Sequence, residues 1–351
     1  MSHLPLPFLC LVFALAASVV WRAGIVLSRS TDRLDRRFGW GQAVGGMVLL
    51  AIVTNLPEIA IVASASLQGR IEVAVGNLLG GVAIQTLVLV VLDAASRREE
   101  APLARLADSP QLRLEAALVV VMLGIVILGR RWDSAPFARG LTAAEVLLAL
   151  AWLGALLAMR FLPVATPPQA GVAGPDAPGA DAVGVENPES SAGPGTARTL
   201  FHFAFASLAT LVAGVGLELC GDAIAGRIGM DGVVFAATVL AAATALPEVS
   251  SGLESIRMRR WQLAMSDIFG GNAFLPILLV LATVLAGTPV LGSLGDSDAY
   301  LAGLGVILTV AYLVGMRSGP RRRFAGLGLD SWTVLLAYIA GIGALALGLG
   351  S

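Results

Sequence analysis

The sequence has few of the residues that bind transition metals or form disulfides. It contains two cysteines and two histidines among 351 residues. Cys10 and Cys220 both lie in or beside apolar segments. A structural disulfide is therefore not expected, and these cysteines are too few to build a metal centre.

The sequence also lacks the motifs of common enzymes and ATP-driven pumps. It contains no phosphate-binding P-loop, no Gly-x-Ser-x-Gly motif and no His-Glu-x-x-His motif. We therefore expect no enzymatic activity, no ATP-driven transport and no cofactor.

Charged residues are scarce, whereas apolar residues are abundant. Charged residues make up 13% of the chain and hydrophobic residues 57%, and the mean hydropathy is +0.84. A soluble protein of this length is less apolar. We therefore expect an integral membrane protein whose partner is the lipid bilayer, with no nucleic-acid partner.

Ten segments are apolar and long enough to cross a bilayer as helices, which takes about 20 residues. They form two sets of five: 5–26, 41–67, 71–94, 113–129 and 141–162, then 200–219, 231–256, 261–287, 299–316 and 331–350. Residues 163–198 between the sets are rich in Pro, Gly, Ala, Asp and Glu and contain no aromatic residue. The sequence therefore predicts five-helix units at 1–162 and 199–351, joined by a disordered linker at 163–198.

The arginines predict the orientation, because cytoplasmic loops carry an excess of basic residues. All 23 basic residues are arginine, and 18 of them lie in the loops after the odd-numbered segments, the linker included. We therefore expect the linker in the cytoplasm and both termini outside the cell membrane. No basic residue precedes the first segment, which favours a retained helix over a cleaved secretory signal.

One short motif occurs twice, 190 positions apart. Thr54-Asn55-Leu56-Pro57-Glu58 is matched by Thr244-Ala245-Leu246-Pro247-Glu248, and at the same offset residues 76–81 are matched by residues 266–271. This internal duplication has an odd number of predicted helices per copy, so the copies cross the membrane in opposite directions. The sequence thus predicts an all-α membrane protein of ten transmembrane helices in two inverted five-helix repeats, an architecture in which transporters bind substrate near the midplane.

Each Thr-x-x-Pro-Glu motif places a carboxylate inside an apolar segment, which costs about 2.5 to 3.5 kcal/mol on insertion scales. Thr54 and Glu58 share a helix face, as do Thr244 and Glu248, and each proline frees a backbone carbonyl. Hard cations such as Ca2+ and Na+ prefer these oxygens. The alternative is an ordinary proline kink with a glutamate that reaches the membrane surface, but it would have to occur twice in register.

The following segment of each half adds further polar residues. Asn77, Gly81 and Gln85 are spaced to form one polar stripe on a helix, and Asp267 is the counterpart of Asn77. We interpret Asp267 as a cation ligand or a proton acceptor. The paired glycines either allow close helix packing or expose carbonyls at a helix break.

These motifs resemble the alpha repeats of the Ca2+:cation antiporter superfamily, the sodium/calcium exchangers. Thr54, Glu58, Thr244 and Glu248 fall on the ion-binding positions of that family. The resemblance implies a central Ca2+ between two opposed glutamates, neighbouring Na+ sites, and alternating access by sliding of the first helix of each half.

The sequence departs from the family pattern at several ligand positions. The residues that replace family side-chain oxygens or amides are Gly81, Val82, Gly271 and Leu275. Several oxygens that would complete the Na+ sites are therefore missing, and Asp267 offsets part of the lost charge or takes a proton.

We therefore expect a secondary antiporter that exchanges Ca2+ for Na+ or H+, with these cations as its transported partners. The alternatives are an Na+ or K+/H+ antiporter and, from another class, a channel or a membrane scaffold without transport. The candidate cation ligands are Thr54, Glu58, Asn77, Gln85, Thr244, Glu248 and Asp267.

Overall fold

The computed structural model describes residues 4–38, 52–132, 136, 140–159, 195–318 and 322–348. Across these ranges the chain is helical, with a single isolated β-bridge between Phe324 and Leu327. The first part of predicted segment 41–67 and nearly all of the predicted linker lie outside the described residues.

The first half contributes six helices in the described part of the chain. They are α1 (Leu6–Phe38), α2 (Leu56–Leu67), α3 (Ile71–Ala95), α4 (Leu103–Leu106), α5 (Pro110–Gly129) and α6 (Ala143–Met159). Residues 52–54, just before α2, are also helical.

The second half has the same order of helices, with more interruptions. They are α7 (Thr196–Ile228), α8 (Gly232–Phe235), a π-helical turn (Ala236–Leu240), α9 (Ala241–Thr244), α10 (Leu246–Arg257), α11 (Trp261–Phe274), a 3-10 turn (Leu275–Ile277), α12 (Leu278–Ala286), a second 3-10 turn (Leu291–Ser293), α13 (Asp296–Ser318) and α14 (Leu329–Ala346).

Within the described residues, seven helical stretches are long and apolar enough to cross a membrane. The pair 232–244 and 246–257 forms an eighth if it is one bent span, and α2 and α6 are shorter apolar helices. Each of the ten predicted segments therefore has a helical counterpart in the described part of the chain. Among them α3 is central, since it packs against helices of both halves.

The first helix of each half is longer than predicted. Helices α1 and α7 each have 33 residues, whereas the apolar runs predicted helices at 5–26 and 200–219. The apolar runs stop where charged side chains begin, but the helices continue beyond that point. The other boundary differences are small, and α7 begins at Thr196, inside the predicted linker.

Both Thr-x-x-Pro-Glu motifs interrupt a helix at the same position. Asn55 has φ −87° and ψ 16°, and its counterpart Ala245 has φ −75° and ψ 1°. A new helix begins at the next residue, with proline as its second residue. In the second half the two helices differ in direction by 42°. The predicted bend is thus a complete break, because proline cannot donate a hydrogen bond to the preceding turn.

A polar cluster at the end of α3 joins the two halves. The Arg323 guanidinium contacts the Asp93 carboxylate at 2.8 Å and also donates to the carbonyl oxygens of Ser96 and Ala101. The other Asp93 oxygen accepts from Ser331 Oγ at 2.8 Å. Because Asp93 and Arg323 are 1% and 9% exposed, each charge depends on the other.

We expect Arg323→Met to lower the free energy of unfolding by about 3 to 5 kcal/mol, because it leaves the buried Asp93 charge without its partner. Thermal denaturation of the purified protein in detergent measures this loss. The control is Arg257→Met, which removes an exposed ion pair with Glu254 and should leave the transition unchanged. Equal stability of the two variants would contradict the prediction.

Candidate cation-binding site

The two repeat-related glutamates meet at one side chain. Gln85 Nε2 lies 3.3 Å from Glu58 Oε1 and 3.4 Å from Glu248 Oε1. All three residues are fully buried. The structure thus brings the two halves together at these acidic residues.

The helix breaks explain how these carboxylates are positioned. Glu58 is the third residue of α2, and Glu248 is the third residue of α10. The first turn of a helix carries the positive end of its dipole and backbone N–H groups without helical partners, and both favour a carboxylate. Broken helices place such ends inside a membrane protein.

Several buried side-chain oxygens of the motif helices and of the helices that follow them have no hydrogen-bond partner among the described residues. They are Glu58 Oε2, Glu248 Oε2, Asn77 Oδ1, Gln85 Oε1 and Asn272 Oδ1. Leaving such a group unsatisfied costs about 1 to 3 kcal/mol, and an apolar core normally contains few of them. A set of buried acceptors without donors is suited to a cation.

The threonine of each motif lies beside the glutamate of the other motif. Thr244 interacts with Glu58, and Thr54 interacts with Glu248. Each acid therefore has the hydroxyl of the opposite half beside it. A cation bound between the glutamates would have oxygens from both halves within reach.

Asp267 is also part of this group. It accepts a hydrogen bond from Thr54 Oγ1 at 3.5 Å and a short one from Ser251 Oγ. Its counterpart Asn77 is buried, and neither polar atom of the Asn77 amide has a hydrogen-bond partner in the described part of the protein. The counterpart of Ser251 in the first half is Ile61, which has no hydroxyl group. Asn77 therefore lacks the equivalent of the hydrogen bond that Asp267 accepts from Ser251.

The site is polar on one flank and apolar on the other. Gln85 Nε2 donates to Asn55 Oδ1 at 3.2 Å, and a Cβ on Gly271 would lie 2.8 Å from Asn55 Nδ2. Because Gly271 has no side chain, the Asn55 amide can occupy this space. On the other flank, a Cβ on the counterpart Gly81 would lie 3.3 Å from Leu275 Cδ1.

The glycines of the second segment also show close packing, one of the two alternatives the sequence left open. A Cβ on Gly76 would lie 3.2 Å from Ala236 Cβ, in the π-helical turn. Gly80 packs still closer against the backbone of Ala237. Here the glycines allow α3 to approach the helix that leads into the second motif.

Helices α1 and α7 pack along each other and cross the two motifs at repeat-related glycines. A Cβ on Gly24 would lie 2.7 Å from Pro247 Cβ, and one on Gly214 would lie 2.9 Å from the Pro57 carbonyl oxygen. Real Cβ atoms do not approach other atoms so closely. Each long helix therefore passes directly over the helix break of the opposite half.

The structure brings together six of the seven predicted ligands: Thr54, Glu58, Gln85, Thr244, Glu248 and Asp267. In the described residues no three His, Cys, Asp or Glu side chains form a metal-binding group. A cation here would therefore combine carboxylates with neutral oxygens. Sequence reasoning missed Asn55 and Ser251 as members of the cluster, although both are polar residues within the motif segments.

Three other buried glutamates lie outside this site and have their own partners. Glu115 Oε2 accepts from Ser266 Oγ at 2.7 Å, Glu145 accepts from Thr283 Oγ1 at 2.5 Å, and Glu218 contacts Arg70 at 2.7 Å. Each of these three carboxylates is therefore paired within the protein.

The family model for sodium/calcium exchanger protein matches residues 8–162 and 199–344 of this chain. The putative antiporter CaxA of Alkalimonas amylolytica is 27% identical over 337 residues, which are 93% of this chain and 97% of CaxA. The inner membrane protein YrbG of Escherichia coli is 26% identical over 322 residues, which are 88% of this chain and 90% of YrbG.

Solved structures of two exchangers have a similar fold. The H+/Ca2+ exchanger CAX superposes with a TM-score of 0.68 at 10% sequence identity, covering 98% of this chain and 82% of CAX. The sodium-calcium exchanger NCX_Mj superposes with a TM-score of 0.58 at 18% identity, covering 97% of this chain and 98% of NCX_Mj. At these identities the similarity concerns the fold alone.

We expect Gly214→Val to disturb the crossing of α7 over α2, because the added side chain would overlap the backbone at Pro57. Overpacking of this kind costs about 1 to 3 kcal/mol, so the thermal transition in detergent should move to lower temperature. Gly216→Val is the matched control on the same helix, since its nearest neighbour, Ala16 Cβ, is at an ordinary 3.8 Å. Two equally stable variants would disprove a tight crossing.

Proposed function

Because the chain belongs to the sodium/calcium exchanger protein family, we propose that it is a secondary cation antiporter that exchanges Ca2+ for Na+ or H+ at a buried carboxylate site. Glu58 and Glu248 bind the substrate ion, and Thr54 and Thr244 add hydroxyl oxygens. Asp267, Asn77 and Gln85 flank this centre. The transporters to which the chain is related are not enzymes, and no catalytic role is assigned to these residues.

The observation that carries this proposal is the single Gln85 nitrogen within reach of both glutamates. Two carboxylates this close in a low-dielectric core repel each other and lose their hydration. The two charges of Ca2+ neutralise them together. Protons or Na+ neutralise them one at a time, so that competition for the same oxygens drives the exchange.

The donor set suits a hard cation. Ca2+ takes 6 to 8 oxygen ligands, and each carboxylate can supply one or two of them. The unpaired oxygens of Glu58 and Glu248, the two threonines and the neighbouring amides supply ligands of this kind. No soft ligand such as a thiolate lies among the named residues of the cluster.

The one-sided polarity of the site favours protons as the coupling ion. A full set of flanking Na+ sites requires oxygens on both flanks, whereas the second flank carries Leu275. Asp267, with its Thr54 and Ser251 partners, is the remaining acid that a proton can reach. The alternative is an antiporter of Na+ or K+ for H+, which needs only one of the two flanks.

The proposed topology has ten spans in two inverted five-helix halves. Both termini lie outside the cell membrane, and residues 163–198 form a cytoplasmic linker. The charge distribution supports this orientation, and the equivalent helix breaks before α2 and α10 support the repeat. Sliding of α1 and α7 across the breaks would then expose the site to each side in turn.

We expect Glu58→Gln and Glu248→Gln each to abolish Ca2+ exchange, because the centre would keep only one of the two opposed glutamates that bind and neutralise the divalent ion. Membrane insertion and the size-exclusion profile should stay normal, since Gln keeps the side-chain volume. Uptake of radioactive Ca2+ into proteoliposomes measures the loss. Glu145→Gln is the control, because Glu145 is equally buried and pairs with Thr142 and Thr283 away from the site. Wild-type flux in either site variant would remove the proposal.

The transported ion can be identified by ligand-induced stability. A ligand that binds only the folded protein raises the thermal transition, by about 2.7 kcal/mol of stabilisation at 100 times its dissociation constant. We expect Ca2+ to stabilise the purified protein, and low pH to reduce that effect more than added Na+ does. Stabilisation by Na+ or K+, with none by Ca2+, would favour the monovalent alternative. Flux driven by one gradient at a time then identifies the coupling ion.

A further inference from the structure

The protein differs on the two sides of the candidate site: one side has a cavity and the other is filled by charged side chains. On one side, a cavity of about 130 Å³ lies between α1 and α10. Its lining includes Ser28, Glu254 and Ser251. Since Ser251 donates to Asp267, the cavity reaches a side chain in direct contact with the candidate site. We call this end the cavity side.

On the other side, the equivalent space between α7 and α2 is filled by an ionic cluster. Arg70, in the turn between α2 and α3, contacts the Glu218 carboxylate at 2.7 Å and the Asp222 carboxylate at 2.7 Å. Ser64 Oγ of α2 donates to Glu218 Oε2 at 2.9 Å. Glu218 is fully buried in this cluster. We call Arg70, Glu218, Asp222 and Ser64 the Arg70 cluster.

The duplication shows that the two ends occupy corresponding places. At the offset of 190 residues, Glu218 corresponds to Ser28, and Ser64 corresponds to Glu254. The turns that follow α2 and α10 also have the same backbone form, since Gly69 has φ +72° and its counterpart Arg259 has φ +56°. The halves therefore have the same framework here, but only the long helix of the second half, α7, carries a buried carboxylate at this position, whereas α1 carries Ser28.

The Arg70 cluster joins a long helix to the framework of the site. Glu218 and Asp222 lie on α7, one and two turns after Gly214, where α7 crosses Pro57. Ser64 belongs to α2, and Arg70 belongs to the turn that follows α2. An ion pair at this place opposes any sliding of α7 along α2, because the slide would separate a fully buried carboxylate from its arginine.

We propose that Arg70 and Glu218 form a gate lock that closes this end of the site and must open in each transport cycle. The lock holds α7 in the position in which the site communicates with the cavity side. When it opens, α7 slides along α2 and exposes the site at the Arg70 end. The corresponding cavity between α1 and α10 then closes. This gate rests on the proposed antiport, but its residues lie outside the ion-binding set.

The test measures which end of the purified protein is open. In a Cys10→Ala, Cys220→Ala background, Ser28→Cys reports on the cavity side, where Ser28 is half-buried. Ile61→Cys reports on the Arg70 end, where Ile61 is fully buried one turn before Ser64. The rate of modification by a hydrophilic maleimide in detergent gives the accessibility of each cysteine, since both ends are then in contact with the reagent.

With the lock intact, we expect Ser28→Cys to react and Ile61→Cys to be protected. Adding Glu218→Gln should raise the rate at Ile61→Cys by at least about tenfold, the effect of about 1.4 kcal/mol, and should slow Ser28→Cys. The charge exchange of Arg70→Glu with Glu218→Arg should restore protection. Asp108→Asn is the control, because it removes an ion pair with Arg113 outside the Arg70 cluster.

Unchanged protection of Ile61→Cys in the Glu218→Gln variant would overturn the lock. Equal reactivity at both positions would also contradict it, since that result means general loosening rather than a change of the open end. The labelling requires no transport, so it separates the gate from the proposed exchange. If Glu218→Gln exposes Ile61→Cys and protects Ser28→Cys in a protein that does not transport Ca2+, the result would support the lock and refute the proposed function.

Discussion

The structure depends on two buried carboxylates that face each other across the junction of two halves. Glu58 and Glu248 are fully buried and share one hydrogen-bond donor. Two negative charges at such a distance are unfavourable in an apolar core without a balancing positive charge. The helix ends, the threonines and the unpaired amide oxygens are all arranged around this constraint, and each makes the centre more favourable for a cation.

The same constraint explains why the helices break where they do. A continuous helix has no unused backbone donors or acceptors at its middle, whereas a helix interrupted at Asn55 or Ala245 presents a new N-terminus to the glutamate three residues later. The long helices α1 and α7 can cross these interruptions only because Gly24 and Gly214 have no side chain. Charge placement and helix packing are therefore two parts of one arrangement.

The sequence predicted this arrangement where a residue pattern is repeated, and it failed where a contact depends on tertiary packing. The resemblance of both Thr-x-x-Pro-Glu motifs to the exchanger repeats implied that the two glutamates oppose each other. It did not predict that the space at Gly271 holds the Asn55 amide, because that contact joins residues far apart in the chain. Hydropathy likewise ended α7 before Asp222, since it records side-chain polarity and not helix continuity. The pairing of Glu218 with Arg70 was also not predicted, because it too joins residues far apart in the chain.

The divergence of the two copies at Gln85 and Leu275 has a consequence for energetics. Identical copies in opposite orientations would give two conformations of equal free energy, related by a two-fold rotation in the membrane plane. Here Gln85 places an amide between the acids, whereas its counterpart is Leu275, and Glu218 gives Arg70 a buried partner on α7, whereas α1 has Ser28 at the equivalent position. The two conformations therefore differ in free energy, and the differences between the two copies give the molecule a preferred resting state.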